Sequence, residues 1–107
     1  DSQPHWTRVQ QGHAAANLVP VIASNRIGTE ASKYIEGLEM TFYGSSFIAD
    51  QTGELVAQAN KTDEAVLVHT FDLDAIAAQR ASWGLFRDRR PNMYGTLATS
   101  DGSVRSK

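Results

Sequence analysis

Two apolar runs of strand length, Phe42-Tyr43-Gly44-Ser45-Ser46-Phe47-Ile48-Ala49 and Leu55-Val56-Ala57, stand either side of Asp50-Gln51-Thr52-Gly53. A four-residue polar link ending in glycine is what a hairpin needs, because glycine reaches positive φ without steric cost. The spacing predicts an antiparallel pair over about residues 38–49 and 54–59. On the second arm Leu55, Ala57 and Ala59 alternate with Glu54, Gln58 and Asn60, with Val56 breaking the pattern, so at least one face of the pair is buried. A buried face needs a cover, and the flanking segments supply candidates for it.

Residues 4–18 read as a helix. Pro4 suits the first turn, where a missing N–H costs nothing, and Trp6, Val9, His13 and Ala16 recur at helical spacing on one side, with Arg8, Gln11 and Ala15 opposite. Gly12 in mid-helix costs about 1 kcal/mol relative to alanine, which a closely approaching backbone would explain. Packing on a sheet and contact with another subunit are both open for this helix. Residues 19–25 form a continuous apolar run after Pro20 and predict a strand covered on both faces. Ser24, Asn25 and Arg26 fall at its C-terminal end, where layered α/β proteins often place their sites. Residues 29–37 are polar, end in Gly37 and read as an exposed loop.

Beyond the hairpin, residues 64–71 are rich in β-branched side chains and predict another strand. Asp72 is a plausible N-cap for a helix over 72–83, which Gly84 ends. Residues 84–107 form a C-terminal tail. It carries Trp83 and Phe86 as anchors at its root, followed by Arg87-Asp88-Arg89-Arg90. Arginine forks suit phosphate oxygens, but an acid within the run favours ion pairs that pin the tail to a neighbouring element.

These elements close a core poorly, since two helices are too few to cover a doubly buried sheet on both faces. With methionine only at positions 40 and 93 and Asp1 at the start, the expectation is an α/β architecture, incomplete as a domain, from the C-terminal part of a larger subunit. The chain of 107 residues carries 10 basic and 12 acidic side chains, a net charge of −2 that gives no bulk drive toward nucleic acid or an anionic membrane. No apolar run approaches the roughly 20 residues of a membrane span. A soluble cytoplasmic protein is expected.

Cysteine is absent, which excludes disulfides, thiolate metal sites and a cysteine nucleophile within these residues. His5, His13 and His69 are not spaced as metal ligands. No serine sits in a Gly-x-Ser-x-Gly elbow, and no glycine-rich phosphate loop is present. No metal site is expected from these spacings.

Four runs carry a resemblance: Gln11-Gly12-His13-Ala14-Ala15-Ala16-Asn17, Ala23-Ser24-Asn25-Arg26-Ile27-Gly28, Thr41-Phe42-Tyr43-Gly44-Ser45-Ser46-Phe47-Ile48-Ala49 and Trp83-Gly84-Leu85-Phe86-Arg87-Asp88-Arg89-Arg90-Pro91. In that order they resemble the C-terminal part of the carbon–nitrogen hydrolase (nitrilase) superfamily, on the branch that acts on N-carbamoylputrescine. One departure is Gln51, where the branch usually carries proline in the hairpin turn.

The resemblance implies a four-layer α-β-β-α sandwich and hydrolysis of a ureido group to putrescine, ammonia and carbon dioxide. It implies a cysteine thiolate that attacks the carbonyl carbon, a glutamate that moves protons and a lysine that stabilises the oxyanion, all earlier in the family's sequence than the part matched here. No catalytic residue therefore falls in these 107 positions. Ser24, Asn25 and Arg26 become pocket supports. Trp6, Val9, Gly12 and His13 on the helix, with Trp83, Phe86, Arg87, Arg89 and Arg90 on the tail, become subunit-interface residues of a homo-oligomer. The implied partners are the N-terminal part of the same subunit, a second copy and a small ureido substrate, with neither nucleic acid nor membrane. The competing expectation is an inactive interaction module derived from the same fold.

Overall fold

A computed structural model describes residues 1–103. Helix α1 (Gln3–Asn17) opens with Pro4 in its first turn and ends where Leu18 takes a left-handed conformation, φ 49°. A left-handed leucine costs on the order of 1–2 kcal/mol. Burial of its side chain to 2% exposure offsets this.

Five strands follow. β1 (Val21–Ala23), β4 (Phe47–Ala49) and β5 (Leu55–Gln58) make an antiparallel sheet in the order β1-β4-β5, with Val21 opposite Ala49 and Ile48 opposite Ala57. β2 (Ile27–Ala31) and β3 (Glu39–Tyr43) form a separate two-stranded ribbon. The predicted hairpin is present as β4–β5. Its predicted first arm, however, is two strands in two sheets, interrupted at residues 44–46. The expected loop over 29–37 is partly strand, since β2 runs to Ala31 and pairs with β3. Thr29 and Thr41 face each other there and join their hydroxyls at 2.8 Å, a polar pairing that alternation of apolar residues does not reveal.

The strand covered on both faces is β4, not the run at 19–25. Phe47, Ile48 and Ala49 are all buried, whereas Ile22 in β1 is 69% exposed because β1 is an edge of the sheet. α1 covers β4. Its buried positions are Thr7 and Ala14, and Ala14, Phe47 and Ala49 form the fully buried centre, flanked by Trp6, Val21, Ala23 and Leu55. The expected apolar stripe is therefore split. Trp6 packs inward on Tyr43 and Phe47, while Val9, His13 and Ala16 face solvent. The fully buried positions of the helix are the small residues Thr7 and Ala14, because a helix seated closely on a sheet has little room there.

The turn of the β4–β5 hairpin is built by Asp50. Its Oδ1 accepts from the Thr52 amide and hydroxyl and from the Glu54 amide, at 2.8, 2.6 and 3.2 Å. Gly53 closes the turn at φ 85°, its carbonyl accepting from Gln11 Nε2 of α1 at 2.9 Å. With Asp50 and Gly53 in these roles, Gln51 needs no proline's rigidity to keep the turn formed.

Helix α2 (Leu73–Trp83) has the expected N-cap, Asp72 Oδ1 accepting from the Ala75 amide at 2.9 Å, and ends at left-handed Gly84. Arg80 reaches across to donate to the Leu18 carbonyl at 3.0 Å, capping the end of α1. The strand expected over 64–71 is not a strand here. Its residues form no ladder with any described strand, and Val66 and Val68 are 89% and 79% exposed. High β propensity does not make a strand without an edge to pair with. The tail from residue 84 contains two short 3-10 turns, Pro91–Met93 and Gly95–Ala98.

The described residues make an open plate of 56 × 42 × 18 Å with a radius of gyration of 19.6 Å, against about 13 Å for a closed domain of this length.

Two outcomes follow from the hairpin turn. Gly53→Ala places a Cβ 2.8 Å from the Gln11 carbonyl oxygen at a φ that side chains avoid. It should lower stability by about 1–3 kcal/mol in urea denaturation. Burial alone would raise the Asp50 pKa, but the bonds from Thr52 and Glu54, with His69 nearby, outweigh it and hold the carboxyl below its ordinary range. A depressed native pKa adds stability at neutral pH that is lost as pH falls through that native value. The stability difference between wild type and Asp50→Ala should therefore shrink in titration below pH about 4.

Candidate functional site

Both long strand runs leave the three-stranded sheet at one place. β1 passes through Ser24 and Asn25 into β2, and β3 passes through Gly44, Ser45 and Ser46 into β4. Gly44 and Ser45 are consecutive left-handed residues, φ 52° and 60°, which turns the chain sharply. Such a conformation is uncommon for serine and costs on the order of 1 kcal/mol or more. Hydrogen bonds hold it. The Gly44 amide donates to the Arg26 carbonyl at 2.9 Å, the Ser45 amide to the Asn60 carbonyl at 3.1 Å, and the Ser45 hydroxyl to the Tyr43 carbonyl at 2.8 Å.

Asn25 ties the two crossings together. Its Nδ2 donates to the Gly44 carbonyl at 2.9 Å, its backbone amide donates to Ser46 Oγ at 2.8 Å, and Ser46 Oγ lies 3.3 Å from the Asn25 carbonyl. Its Oδ1 accepts from the Arg26 amide at 2.9 Å, so both ends of the side-chain amide are used. Arg26 pairs with Glu30 at 2.7 Å and lies 4.3 Å from the centre of the Phe42 ring, on an exposed surface. Ser24 is exposed and makes no hydrogen bond among the described residues.

Of the three expected supports, then, Asn25 is the structural one. Arg26 braces the ribbon, and Ser24 is not part of the junction's bonding. Gly44, Ser45 and Ser46 carry the rest, hidden in the sequence because they sit inside an apolar run that reads as one strand. The signal was present: Gly-Ser-Ser interrupts a run far longer than a typical strand of 5–6 residues.

A cleft of about 510 Å³ opens beside the junction, walled by Asn25, Ser45 and Ser46 on one side and by Asn60 and Asp63 on the other. Asn60 shapes that second wall, its Oδ1 accepting from the Thr62 and Asp63 amides at 3.0 and 2.8 Å while its Nδ2 donates to Asp63 at 2.7 Å. Every polar group named here is engaged with a neighbour. No serine faces a base, and no group of three metal-ligating side chains occurs among the described residues. The arrangement fixes shape; it offers no nucleophile.

The expected interface residues divide between two places. Val9, Gly12 and His13 lie on the exposed side of α1, and no described atom approaches within 4 Å of where a Gly12 Cβ would stand. Trp6 instead faces inward, its ring 5.4 Å from that of Phe47. At the tail, Trp83 and Phe86 are 61% and 51% exposed. The arginines there bond locally rather than pinning the tail to another element. Arg87 pairs with adjacent Asp88 at 2.8 Å, and the two hydrogen bonds it donates hold the Asp88 carboxyl below its usual range. Arg89 donates to the Phe86 carbonyl, and the Arg90 amide donates to the Tyr94 hydroxyl.

The sequence model of the carbon–nitrogen hydrolase family matches residues 1–81, and the chain belongs to that family. It is 58% identical over 105 residues to N-carbamoylputrescine amidase of Arabidopsis thaliana, covering 97% of this chain and 35% of that protein. It is 53% identical over 97 residues to citrullinase of Francisella tularensis, covering 91% of this chain and 33% of that protein. Its fold matches a carbon–nitrogen hydrolase from Helicobacter pylori G27 with a TM-score of 0.80 at 38% identity, over 94% of this chain and 34% of that one. The helix-and-sheet architecture is thus that of part of a nitrilase-like α/β domain. The chain spans about a third of the length of the curated relatives it matches.

Removing the bonds at the junction should be costly. Asn25→Ala and Ser46→Ala should each lower stability by about 1–3 kcal/mol in urea denaturation, and the double variant by less than the sum, since the two share a bond.

Proposed function

We propose that the polypeptide to which these residues belong is an amidohydrolase that converts N-carbamoylputrescine to putrescine, ammonia and carbon dioxide in polyamine biosynthesis. The observation that carries this reading is the 58% identity to the Arabidopsis amidase across nearly the whole chain. A cysteine thiolate attacks the ureido carbon, a glutamate hands its proton to the departing ammonia, and a lysine stabilises the oxyanion. Water then resolves the thioester-type intermediate. With no cysteine among the 107 residues, that triad belongs to polypeptide outside them. No metal or organic cofactor takes part.

In this reading the chain supplies scaffold and assembly surfaces. Asn25 and Ser46 keep the cleft wall in place, the N-terminal part of the same subunit completes a four-layer sandwich, and a second copy docks on the exposed side of α1 and on the tail. That docking would bury Val9, Gly12 and His13, with Trp83, Phe86, Arg87, Arg89 and Arg90. A cytoplasmic location belongs to the same proposal.

The 53% identity to a citrullinase supports a second reading of the substrate, since citrulline also presents a ureido group at the end of an alkyl chain. An inactive interaction module remains the reading from another class.

The test is ammonia release by the full-length polypeptide. N-carbamoylputrescine should be hydrolysed with the larger kcat/KM and citrulline with the smaller. The reverse order favours the second substrate, and no release from either favours the inactive module. Residues 1–107 alone should release none. Trp83→Glu with Phe86→Glu should lower the assembly's mass in light scattering.

A further inference from the structure

Aspartate is followed by glycine at one place in the sequence, Asp101-Gly102. The other aspartates precede serine, glutamine, glutamate, leucine, alanine or arginine, each of which sets a Cβ beside its own peptide nitrogen. Glycine leaves that nitrogen open. Asp101 and Gly102 lie beyond the second 3-10 turn, in no helix or strand, and both are exposed.

The local geometry favours a reaction between the two. The Ser103 amide donates to Asp101 Oδ1 at 2.9 Å, an Asx turn that curls the carboxyl back over the Gly102 peptide group. The Gly102 amide has no hydrogen-bond partner among the described residues, so no bond has to break before its nitrogen attacks. Gly102 stands at φ 78°, and a Cβ there would meet only Thr96 Cγ2, at 3.6 Å. Asp50 makes the contrast: its carboxyl also accepts from the amide two residues on, but it is locked inside a hairpin by three donors and is followed by Gln51.

We propose that Asp101 is a site of spontaneous isomerisation to isoaspartate. The Gly102 nitrogen attacks Asp101 Cγ; a C–N bond forms, the nitrogen loses its proton, and the carboxyl loses its hydroxyl, the two leaving as water. A five-membered succinimide results. A second water then opens the ring at either carbonyl. Attack at Cγ restores aspartate, whereas attack at the main-chain carbonyl breaks its bond to Gly102 and leaves the chain running through the side chain. No oxidant, cofactor or enzyme takes part, and the product has the mass of the starting chain. Isoaspartate adds one carbon to the main chain and frees an α-carboxylate, so charge is kept while the Asx turn is lost.

The electrophile is the neutral acid. Hydrogen bonding from Ser103, its side chain first and then its amide, holds the Asp101 carboxyl below the ordinary range, and no other charged side chain lines the hollow around it among the described residues. The neutral form therefore gains as pH falls, and isomerisation should run faster at pH about 5 than at pH about 7.

Peptide mapping of the full-length polypeptide after prolonged incubation tests this. Isoaspartate at residue 101 should accumulate within about tenfold of its rate in a synthetic peptide of residues 99–103, since an exposed tail opens at little cost in free energy. It should be preceded by a species lighter by one water. Asp101→Glu, which would have to close a six-membered ring, should abolish both signals without altering the fold. Isoaspartate that forms in the peptide but not in the protein overturns the proposal, as does an unchanged signal in Asp101→Glu. The readout is independent of turnover, so its outcome leaves the proposed activity on ureides untouched.

Discussion

The structure depends on the close seating of α1 over β4. Ala14 meets Phe47 and Ala49 at the point of complete burial, and removing a phenylalanine side chain from water contributes about 1.5–3 kcal/mol. Only a small residue on the helix permits that approach. The contact also locates the hairpin turn, because Gln11, one turn before Ala14, is then placed to donate to Gly53. Arg80 fastens the second helix to the same body by capping the carbonyl of Leu18. One packed contact and two long-range polar bonds thereby position both helices around a three-stranded sheet.

The second constraint is topological. Two strand runs cross from one sheet to another at a single junction, and backbone groups at a crossing cannot all find ladder partners. Asn25 and Ser46 supply the missing partners with side-chain atoms. The left-handed pair Gly44 and Ser45 supplies the change of direction. Strained backbone persists only where neighbours over-determine it, and here four hydrogen bonds do so. The junction's chemistry is that of a brace: it fixes one wall of a cleft and presents no nucleophile.

Local signals were legible wherever the physics is local. The Asp50-to-Gly53 turn, the Asp72 cap, the Gly84 stop and the extents of both helices could be read from neighbouring residues, because turns and caps are closed by atoms within four positions. The errors arose where a distant partner decides the outcome. Residues 64–71 have the composition of a strand and no edge to join, β2 has a polar sequence and a partner in β3, and the apolar stripe of α1 is turned partly to solvent. At the candidate site, Asn25 was recognised by its position at a strand end, but Ser46 was hidden because its bond to Asn25 spans 21 positions of sequence.

The amino-acid sequence by itself determined both helices, the hairpin turn and much of the chemistry they lack: no thiol, no large charge excess, and a family kinship written in four short runs. Tertiary structure alone decided which strand is buried on both faces, which side of α1 looks inward, and how Asn25 and Ser46 meet. The division has a physical cause. Propensity and capping act over a few bonds, whereas burial and strand pairing are set by whatever surface folding brings alongside.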